Sequence, residues 1–226
     1  MKNKINIIVS ALLLCFAASV LANTTMAPTE LRLRGYSLVP APQKLELRQG
    51  DVIVDQDWAV VAEGDGPAAG WLKEWAQDLH GLTLSGTGGG QIILAVNKAA
   101  VAGVDDPGRS AQAYKLEVSE SRISITGNTE QGLFYGVQSF LHLLRRKSGG
   151  RLCVPAGSII DWPTLELRFI HWDTKHHQKR PADMRRIIDW LAFFKVNAIG
   201  MEMEDKYEFP SHPLAGAPGA YPKAEL

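Results

Sequence analysis

Three acidic side chains near the end of the chain are the first candidates for chemistry. Glu202, Glu204 and Asp205 follow a short apolar run over residues 196–201, which is typical of a buried strand. Alternation along a strand would put Glu202 and Glu204 on the same side. Ligands of parallel α/β units bind at the carboxyl ends of the strands, so the acidic cluster is a candidate wall of a site. A solvated turn after a short strand is the alternative interpretation.

An arginine within an apolar strand is the second candidate. Arg168 lies in the apolar run over residues 165–172. A buried arginine needs a carboxylate or an oxygen-rich ligand as its partner, because taking its charge out of water is costly. Its planar guanidinium suits the adjacent hydroxyls of a sugar as well as a carboxylate. A ligand contact and a structural ion pair within the fold both remain open for Arg168.

Metal and phosphate chemistry are not predicted, and we expect no cofactor. His171, His176 and His177 lack the His-Glu-x-x-His spacing, and two adjacent histidines cannot easily converge on one ion. The glycine-rich stretch over residues 86–90 lacks Gly-Lys-Ser/Thr. It also leads into a predicted strand, so no helix N-terminus would face a phosphate there.

The elements that must position these residues form two segments. Over residues 38–147, the order strand, strand, helix, strand, hairpin, helix predicts an α+β domain with its helices on one face of the sheet. After Gly149 and Gly150 come a return segment over residues 152–160 and a turn or linker at residues 161–163. A strand over residues 165–172, a helix beginning at Pro181 and a second strand then predict a right-handed parallel crossover. Parallel strands need cover on both faces, and few residues remain to provide it. The second segment is therefore predicted to be incomplete.

Composition excludes several classes of protein. The 226 residues include 24 Lys+Arg and 24 Asp+Glu, so the formal net charge is zero and no long-range attraction for nucleic acid is expected. A hydrophobic fraction of 46% argues against global disorder. Two cysteines cannot form a disulfide scaffold or a four-thiolate zinc site.

The first 22 residues are predicted to be a signal peptide. Lys2 and Lys4 precede an apolar run over residues 5–22 that closes on small residues suited to a signal peptidase. We expect cleavage, export to the periplasm or the exterior, and no stable membrane span afterwards. An uncleaved anchor is the alternative, since the run is near the length that spans a bilayer. Lipidation at Cys15 is a further, minor alternative.

Motifs in both segments resemble those of one enzyme family. In the first segment they occupy residues 38–43, 113–125 and 132–138. In the second they are Asp161-Trp162-Pro163, the stretch 168–173, His177, Lys195-Val196-Asn197 and Asp205. The first set resembles the N-terminal accessory domain of glycoside hydrolase family 20, the β-N-acetylhexosaminidases. The second set resembles the start of that family's catalytic barrel, and together the two cover residues 38–212.

The resemblance implies a fold, an activity and four site residues. The fold would be an α+β accessory domain followed by an incomplete (β/α)8 TIM barrel. The activity would be the removal of terminal N-acetylhexosamine from a glycan by substrate-assisted retention, in which the substrate's own 2-acetamido oxygen attacks the anomeric carbon. Arg168 would hold sugar hydroxyls, and Asp173, His177 and Asp205 would shape or line the sugar pocket.

Departures from the family pattern indicate a divergent branch. Phe169 stands where the family usually has glycine, and Gly200-Met201-Glu202 stands where its second strand commonly has His-x-His. The family's catalytic Asp-Glu pair belongs to the fourth barrel strand, whereas this chain stops shortly after the second. We therefore assign no catalytic residue and expect this chain alone to be inactive.

The predicted organisation has three parts. These are a signal peptide over residues 1–22, an accessory domain over residues 23–160 and the first βαβ portion of a truncated barrel over residues 161–226. Two other functions remain open. One is a non-catalytic carbohydrate-binding or interaction module, and the other is a related glycosidase acting on uronic acids, in which Arg168 would pair with the carboxylate.

Overall fold

A computed structural model describes residues 27–225 with a gap at residues 175 and 176. The chain divides into two compact units, with the boundary between Ser37 and Leu38. The first unit contains helix α1 (Ala27–Leu33), and the second contains the other described helices and strands. The predicted signal peptide at residues 1–22 lies outside the described residues. Within the described part, no helix is long and apolar enough to cross a membrane.

Seven strands form one mixed sheet in the order β1-β7-β4-β5-β3-β2, with β6 paired to β7. The β2–β3 and β3–β5 pairs are parallel, and the other pairs are antiparallel. The β4–β5 pair is the predicted hairpin, which is confirmed. The strands are β1 (Lys44–Ile53), β2 (Trp58–Ala62), β3 (Gly90–Val96), β4 (Tyr114–Ser119), β5 (Arg122–Gly127), β6 (Arg145–Arg146) and β7 (Leu152–Asp161).

Helices pack on one face of this sheet. They are α2 (Ala68–His80) and α4 (Glu130–Leu143), which contact each other as well as the sheet. The short helix α3 (Pro107–Ala111) precedes β4 along the chain. The hydroxyl of Thr129 begins α4 by accepting hydrogen bonds from the N–H groups of Gln131 and Gly132. Helix α4 ends at Leu143, because Arg145 and Arg146 pair with β7.

Two glycines on α4 allow it to lie close to the sheet. A Cβ added to Gly132 would lie 2.2 Å from the carbonyl oxygen of Ala113, and one added to Gly136 would lie 2.5 Å from Cγ2 of Ile125. Both distances are shorter than van der Waals contact. The low helix propensity of these residues is therefore offset by close packing of α4 on β4 and β5.

The second predicted segment is a βαβ unit, as expected. It consists of β8 (Phe169–Asp173), α5 (Pro181–Phe193) and β9 (Ala198–Glu202), and β8 and β9 pair in parallel. Strand β8 was predicted to begin at residue 165. It begins at Phe169, because the carbonyl groups of Leu165 and Glu166 accept hydrogen bonds from the Arg168 guanidinium and not from a neighbouring strand. Three single-turn 3-10 helices follow β9, at Glu204–Lys206, Pro213–Ala215 and Lys223–Glu225.

The close packing of α4 gives a stability prediction with an internal control. Replacing Gly132→Ala forces a Cβ against a backbone oxygen that cannot move aside, and we expect a loss of roughly 1–3 kcal/mol. Gly70 in α2 has open space at its Cβ position, so Gly70→Ala should stabilise by roughly 0.5–1 kcal/mol. Urea denaturation of both variants measures the difference. Equal shifts of the same sign would contradict this account of the packing.

Candidate functional site

Asp173 and Glu202 end the two parallel strands side by side. They are register partners, and the backbone N–H of Thr174 donates to the carbonyl oxygen of Glu202 at 2.9 Å. The hydroxyl of Thr174 donates to the same oxygen at 3.1 Å. His171 lies two residues before Asp173, and its Nε2 is 3.0 Å from Oε2 of Glu202. Several polar side chains therefore occupy the carboxyl end of this pair of strands.

Asp205 lies in the first turn after β9. Glu204 turns the chain there with a positive φ of 46°. The Asp205 carboxylate pairs with Nζ of Lys206 at 2.9 Å, and its backbone oxygen accepts from the N–H of Ala217 at 2.8 Å. The predicted alternation that puts Glu202 and Glu204 on one side is wrong, because the strand ends at Glu202.

His177 is exposed and lies on the segment that leaves β8. That segment is bound to the loop after β9: Nε2 of Gln178 donates to the carbonyl oxygen of Gly219 at 2.6 Å, and the backbone N–H of Lys179 donates to the Tyr221 hydroxyl at 2.7 Å. Asp173, His177 and Asp205 thus lie on segments at the carboxyl end of β8 and β9, and we call them the strand-end residues. His176 lies outside the described residues.

Arg168 lies at the opposite end of β8. It precedes Asp173 by five positions, which corresponds to roughly 16 Å of extended chain. The structure therefore does not bring Arg168 together with the strand-end residues. In a parallel barrel the amino-terminal ends of strands serve stability and the carboxyl ends carry function.

The guanidinium of Arg168 donates four hydrogen bonds to the protein itself. Its Cζ also lies 5.2 Å from the centre of the Tyr135 ring. These contacts hold Arg168 within the fold, but their acceptors are neutral oxygens and not the carboxylate of the predicted structural ion pair. Contact of Arg168 with a sugar stays a prediction. The donors and acceptors are Nε to Lys195 O (2.6 Å), Nη1 to Leu165 O (2.8 Å) and Glu166 O (3.2 Å), and Nη2 to Gln112 Oε1 (2.7 Å).

A buried ion pair joins the βαβ unit to the seven-stranded sheet. Lys195 follows α5 and is 5% exposed, and Asp161 ends β7 and is 7% exposed. Nζ of Lys195 lies 3.1 Å from Oδ2 of Asp161 and 2.9 Å from the hydroxyl of Tyr114. That hydroxyl donates to the same carboxylate oxygen at 2.8 Å. In the sequence, Asp161 and Lys195 are only parts of motifs that resemble the family's, and no role was predicted for Tyr114.

Burial shifts the protonation of this cluster. It lowers the pKa of Lys195, while the neighbouring Asp161 carboxylate acts in the opposite direction. Burial also raises the pKa of Tyr114 well above its ordinary value, and the charge of Asp161 adds to that shift. The Tyr114 hydroxyl therefore stays protonated and can serve as a donor to Asp161.

A stacked ring pair makes a second contact between the βαβ unit and the sheet's helices. The His142 ring on α4 lies 3.8 Å from the Phe193 ring on α5 at an interplanar angle of 8°. Its Nε2 is 3.0 Å from the backbone oxygen of Phe193. Burial, the largest cause, and the nearby cations Lys195 and Arg145 together lower the pKa of His142 to about 4, although the hydrogen bond to the Phe193 backbone oxygen acts in the opposite direction. The ring is therefore neutral at pH 7.

The seven-stranded sheet and its helices correspond to a domain of a known protein family. The family model described as "Glycosyl hydrolase family 20, domain 2" matches residues 35–162, which include all seven strands of the sheet. The chain belongs to glycosyl hydrolase family 20. This match confirms the resemblance seen in the sequence. The mixed sheet with its helices resembles the accessory domain of that family.

Relatives from family 20 extend the similarity beyond that domain. "Beta-hexosaminidase B" of Pseudoalteromonas piscicida is 29% identical over 168 residues, which cover 74% of this chain and 20% of that protein. "Beta-N-acetylhexosaminidase" of Cellulomonas fimi is 25% identical over 207 residues, covering 82% and 40% respectively. The solved family 20 exo-β-N-acetylglucosaminidase of Vibrio harveyi, in complex with N-acetylglucosamine, aligns with a TM-score of 0.68 at 29% identity, covering 79% of this chain and 28% of that one. The chain thus spans less than half the length of these relatives.

The strand-end residues present carboxylates and an imidazole, which hydrogen-bond readily to hydroxyl groups. No group of three or more His, Cys, Asp or Glu side chains within the described ranges is arranged to hold a metal ion. The chemistry that this arrangement can supply is hydrogen bonding to a polar ligand. The family 20 resemblance assigns these residues to a sugar pocket, and that role stays a prediction.

The buried pair predicts a large effect of removing one partner. Lys195→Met leaves the Asp161 carboxylate buried without its counter-ion, and we expect a loss of about 3–5 kcal/mol in the free energy of unfolding. The double variant Lys195→Met/Asp161→Asn should recover part of that loss, because the uncompensated charge is gone. Arg186→Gln, which removes an exposed ion pair with Asp183, serves as the control and should cost less than about 1 kcal/mol. Urea denaturation measures these free energies of unfolding. If the loss in the double variant equalled the sum of the losses from Lys195→Met and Asp161→Asn alone, the two residues would not be coupled as an ion pair.

The His142 stack predicts a pH dependence of stability. The folded-state pKa of about 4 lies below the ordinary 6.5, so the folded chain binds fewer protons than the unfolded chain between these pH values. Stability should therefore fall as the pH drops from 6.5 to 4, by up to about 3 kcal/mol. The free energy of unfolding of the His142→Phe variant should change less steeply with pH across this range than that of the parent protein. The exposed control variant His212→Gln should show the same pH dependence as the parent. Parallel slopes in all three proteins would refute the assignment.

Proposed function

We propose that this chain is part of a β-N-acetylhexosaminidase-like glycoside hydrolase that removes terminal N-acetylhexosamine residues from glycans. The observation that supports this most strongly is the family 20 match over residues 35–162, extended by two hexosaminidase relatives that cover 74% and 82% of the chain. The formal net charge of zero suits a neutral sugar better than a polyanion.

The βαβ unit is proposed to be the first part of a (β/α)8 barrel. Its strands pair in parallel, and parallel strands are normally covered on both faces. In the described residues, several large apolar side chains of this unit are instead exposed, among them Phe169 (52%) and Trp190 (47%). Further strands of a barrel would bury them. The proposed organisation is a signal peptide over residues 1–22 with export, an accessory domain over 23–160 and the start of the barrel over 161–226.

The strand-end residues Asp173, His177 and Asp205 are proposed to bind the sugar. They lie where the ligands of parallel α/β folds bind, at the carboxyl ends of the strands. In substrate-assisted retention the 2-acetamido oxygen of the substrate is the nucleophile, so the protein must orient that group and supply a general acid. We assign neither task to the strand-end residues. Their proposed task is to hold hydroxyl groups of the terminal sugar.

Hydrolysis of aryl glycosides tests this proposal. The 226-residue chain should show no turnover of an aryl N-acetyl-β-glucosaminide. A version extended by any open reading frame found downstream of codon 226 should hydrolyse it and should leave the matching aryl glucuronide intact. In that version, Asp173→Asn or Asp205→Asn should lower kcat/KM at least roughly tenfold through the lost hydrogen bonds to the sugar.

The control in the same assay is Arg186→Gln, an exposed substitution on α5 that should leave kcat/KM unchanged. Turnover of the glucuronide in place of the N-acetylglucosaminide would overturn the proposed substrate. Binding of N-acetylglucosamine by the extended version without any turnover would favour a non-catalytic module.

A further inference from the structure

A cavity of about 180 Å³ lies where the βαβ unit meets the sheet. Rings of Tyr114, Tyr135 and Trp162 contribute to its walls, and Arg168 and Lys195 line it as well. Small-molecule sites in proteins commonly have this form, a mainly apolar concave surface with a few polar groups. None of the strand-end residues lines this cavity, so the proposed sugar site and this cavity are separate.

The cavity carries an uncompensated positive charge. Lys195 is paired with Asp161, but all four hydrogen bonds of the Arg168 guanidinium go to neutral oxygens, three of them backbone carbonyls and one the amide of Gln112. No carboxylate in the described part of the chain forms an ion pair with Arg168. Its charge is close enough to Lys195 to lower the pKa of that amine. Two cations and one carboxylate leave the cavity with a net charge of +1.

Arg168 also retains hydrogen-bonding capacity. A guanidinium has five N–H donors, and here Nε uses one, Nη1 uses two and Nη2 uses one. The second N–H of Nη2 therefore remains for an acceptor. A carboxylate is the acceptor that satisfies both the spare donor and the charge.

Several other polar groups of the cavity are already engaged with one another. The Asp161 carboxylate accepts from Lys195, Tyr114 and the backbone N–H of Gln43, and the Gln43 amide donates to the carbonyl oxygen of Trp162. A ligand rich in hydroxyls would find few partners here and would lose its hydration. The lining thus favours an apolar ring over a sugar.

We propose that this cavity binds a single-ring aromatic carboxylate, with the carboxylate on Arg168 and the ring among Tyr114, Tyr135 and Trp162. Its volume is comparable to the roughly 150 Å³ of an apolar cavity that binds benzene, so one ring fits. Aromatic side chains favour offset or edge-to-face contacts with such a ring. This site does not depend on the proposed glycosidase function.

Titration of the 226-residue chain with sodium benzoate at pH 7 tests the proposal, with benzamide as the uncharged ligand of the same shape. Benzoate should bind saturably in the millimolar range, quench the fluorescence of Trp162 and bind at least roughly tenfold more tightly than benzamide. Arg168→Gln should weaken benzoate binding at least roughly tenfold. Arg186→Gln removes an exposed positive charge from α5 and should leave the benzoate affinity unchanged.

A second variant keeps the test decisive if Arg168→Gln fails to fold. Ala41 lines the cavity and is exposed, so Ala41→Phe should fill the opening without disturbing the sheet and should abolish benzoate binding. Equal affinity for benzoate and benzamide would overturn the proposal. So would the absence of saturable benzoate binding, or benzoate binding that Ala41→Phe leaves intact.

Discussion

The buried ion pair between Lys195 and Asp161 is the interaction on which the arrangement of this protein depends. Two charges removed from water must stay together, because either one alone in the interior would be far less stable. Asp161 ends a strand of the large sheet and Lys195 follows the helix of the βαβ unit, so the pair holds these elements in one relative position. The positive φ of 63° at Lys195, which is unfavourable for a side-chain-bearing residue, is tolerated because both ends of that residue are held: its amine by Asp161 and its carbonyl oxygen by Arg168.

The position of the strand-end residues follows from that constraint. Arg168 bonds to Lys195 at one end of β8, and the stack of His142 on Phe193 holds the end of α5. With its amino-terminal end and its helix both held, β8 pairs with β9 in a single register that sets Asp173 beside Glu202. The chemistry proposed for the carboxyl end of the strands thus depends on structural contacts at the opposite end. This division between the two ends is the one expected of parallel barrel strands.

Local periodicity predicted much of the fold but little of this junction. The alternating apolar residues of β4 and β5 and the apolar stripe of α4 were sufficient to predict the hairpin and the helix, because a period is visible within a few neighbouring residues. The partner of a polar side chain has no such signal. Gln112 lies 56 residues from Arg168 and Tyr114 lies 81 residues from Lys195, so neither pair could be predicted from spacing. The start of β8 was misplaced for the same reason, since Arg168 turns its own preceding carbonyl groups away from strand pairing.

The two departures from the predicted family pattern change side-chain volume in opposite directions. Phe169 stands in place of the usual glycine, and its ring fills the space beside Gly200, where the family commonly has histidine: a Cβ on Gly200 would lie 2.5 Å from Cζ of Phe169. The large Phe169 side chain on β8 therefore lies against a residue of β9 that has no side chain, Gly200. His171 on β8 pairs with Glu202 on β9. The contact covers part of the Phe169 ring, and the side chain remains 52% exposed in the described chain. Asp173 and Asp205 come at or after the carboxyl ends of these strands, so the two predicted departures concern the contact between β8 and β9 and not the carboxylates that follow it.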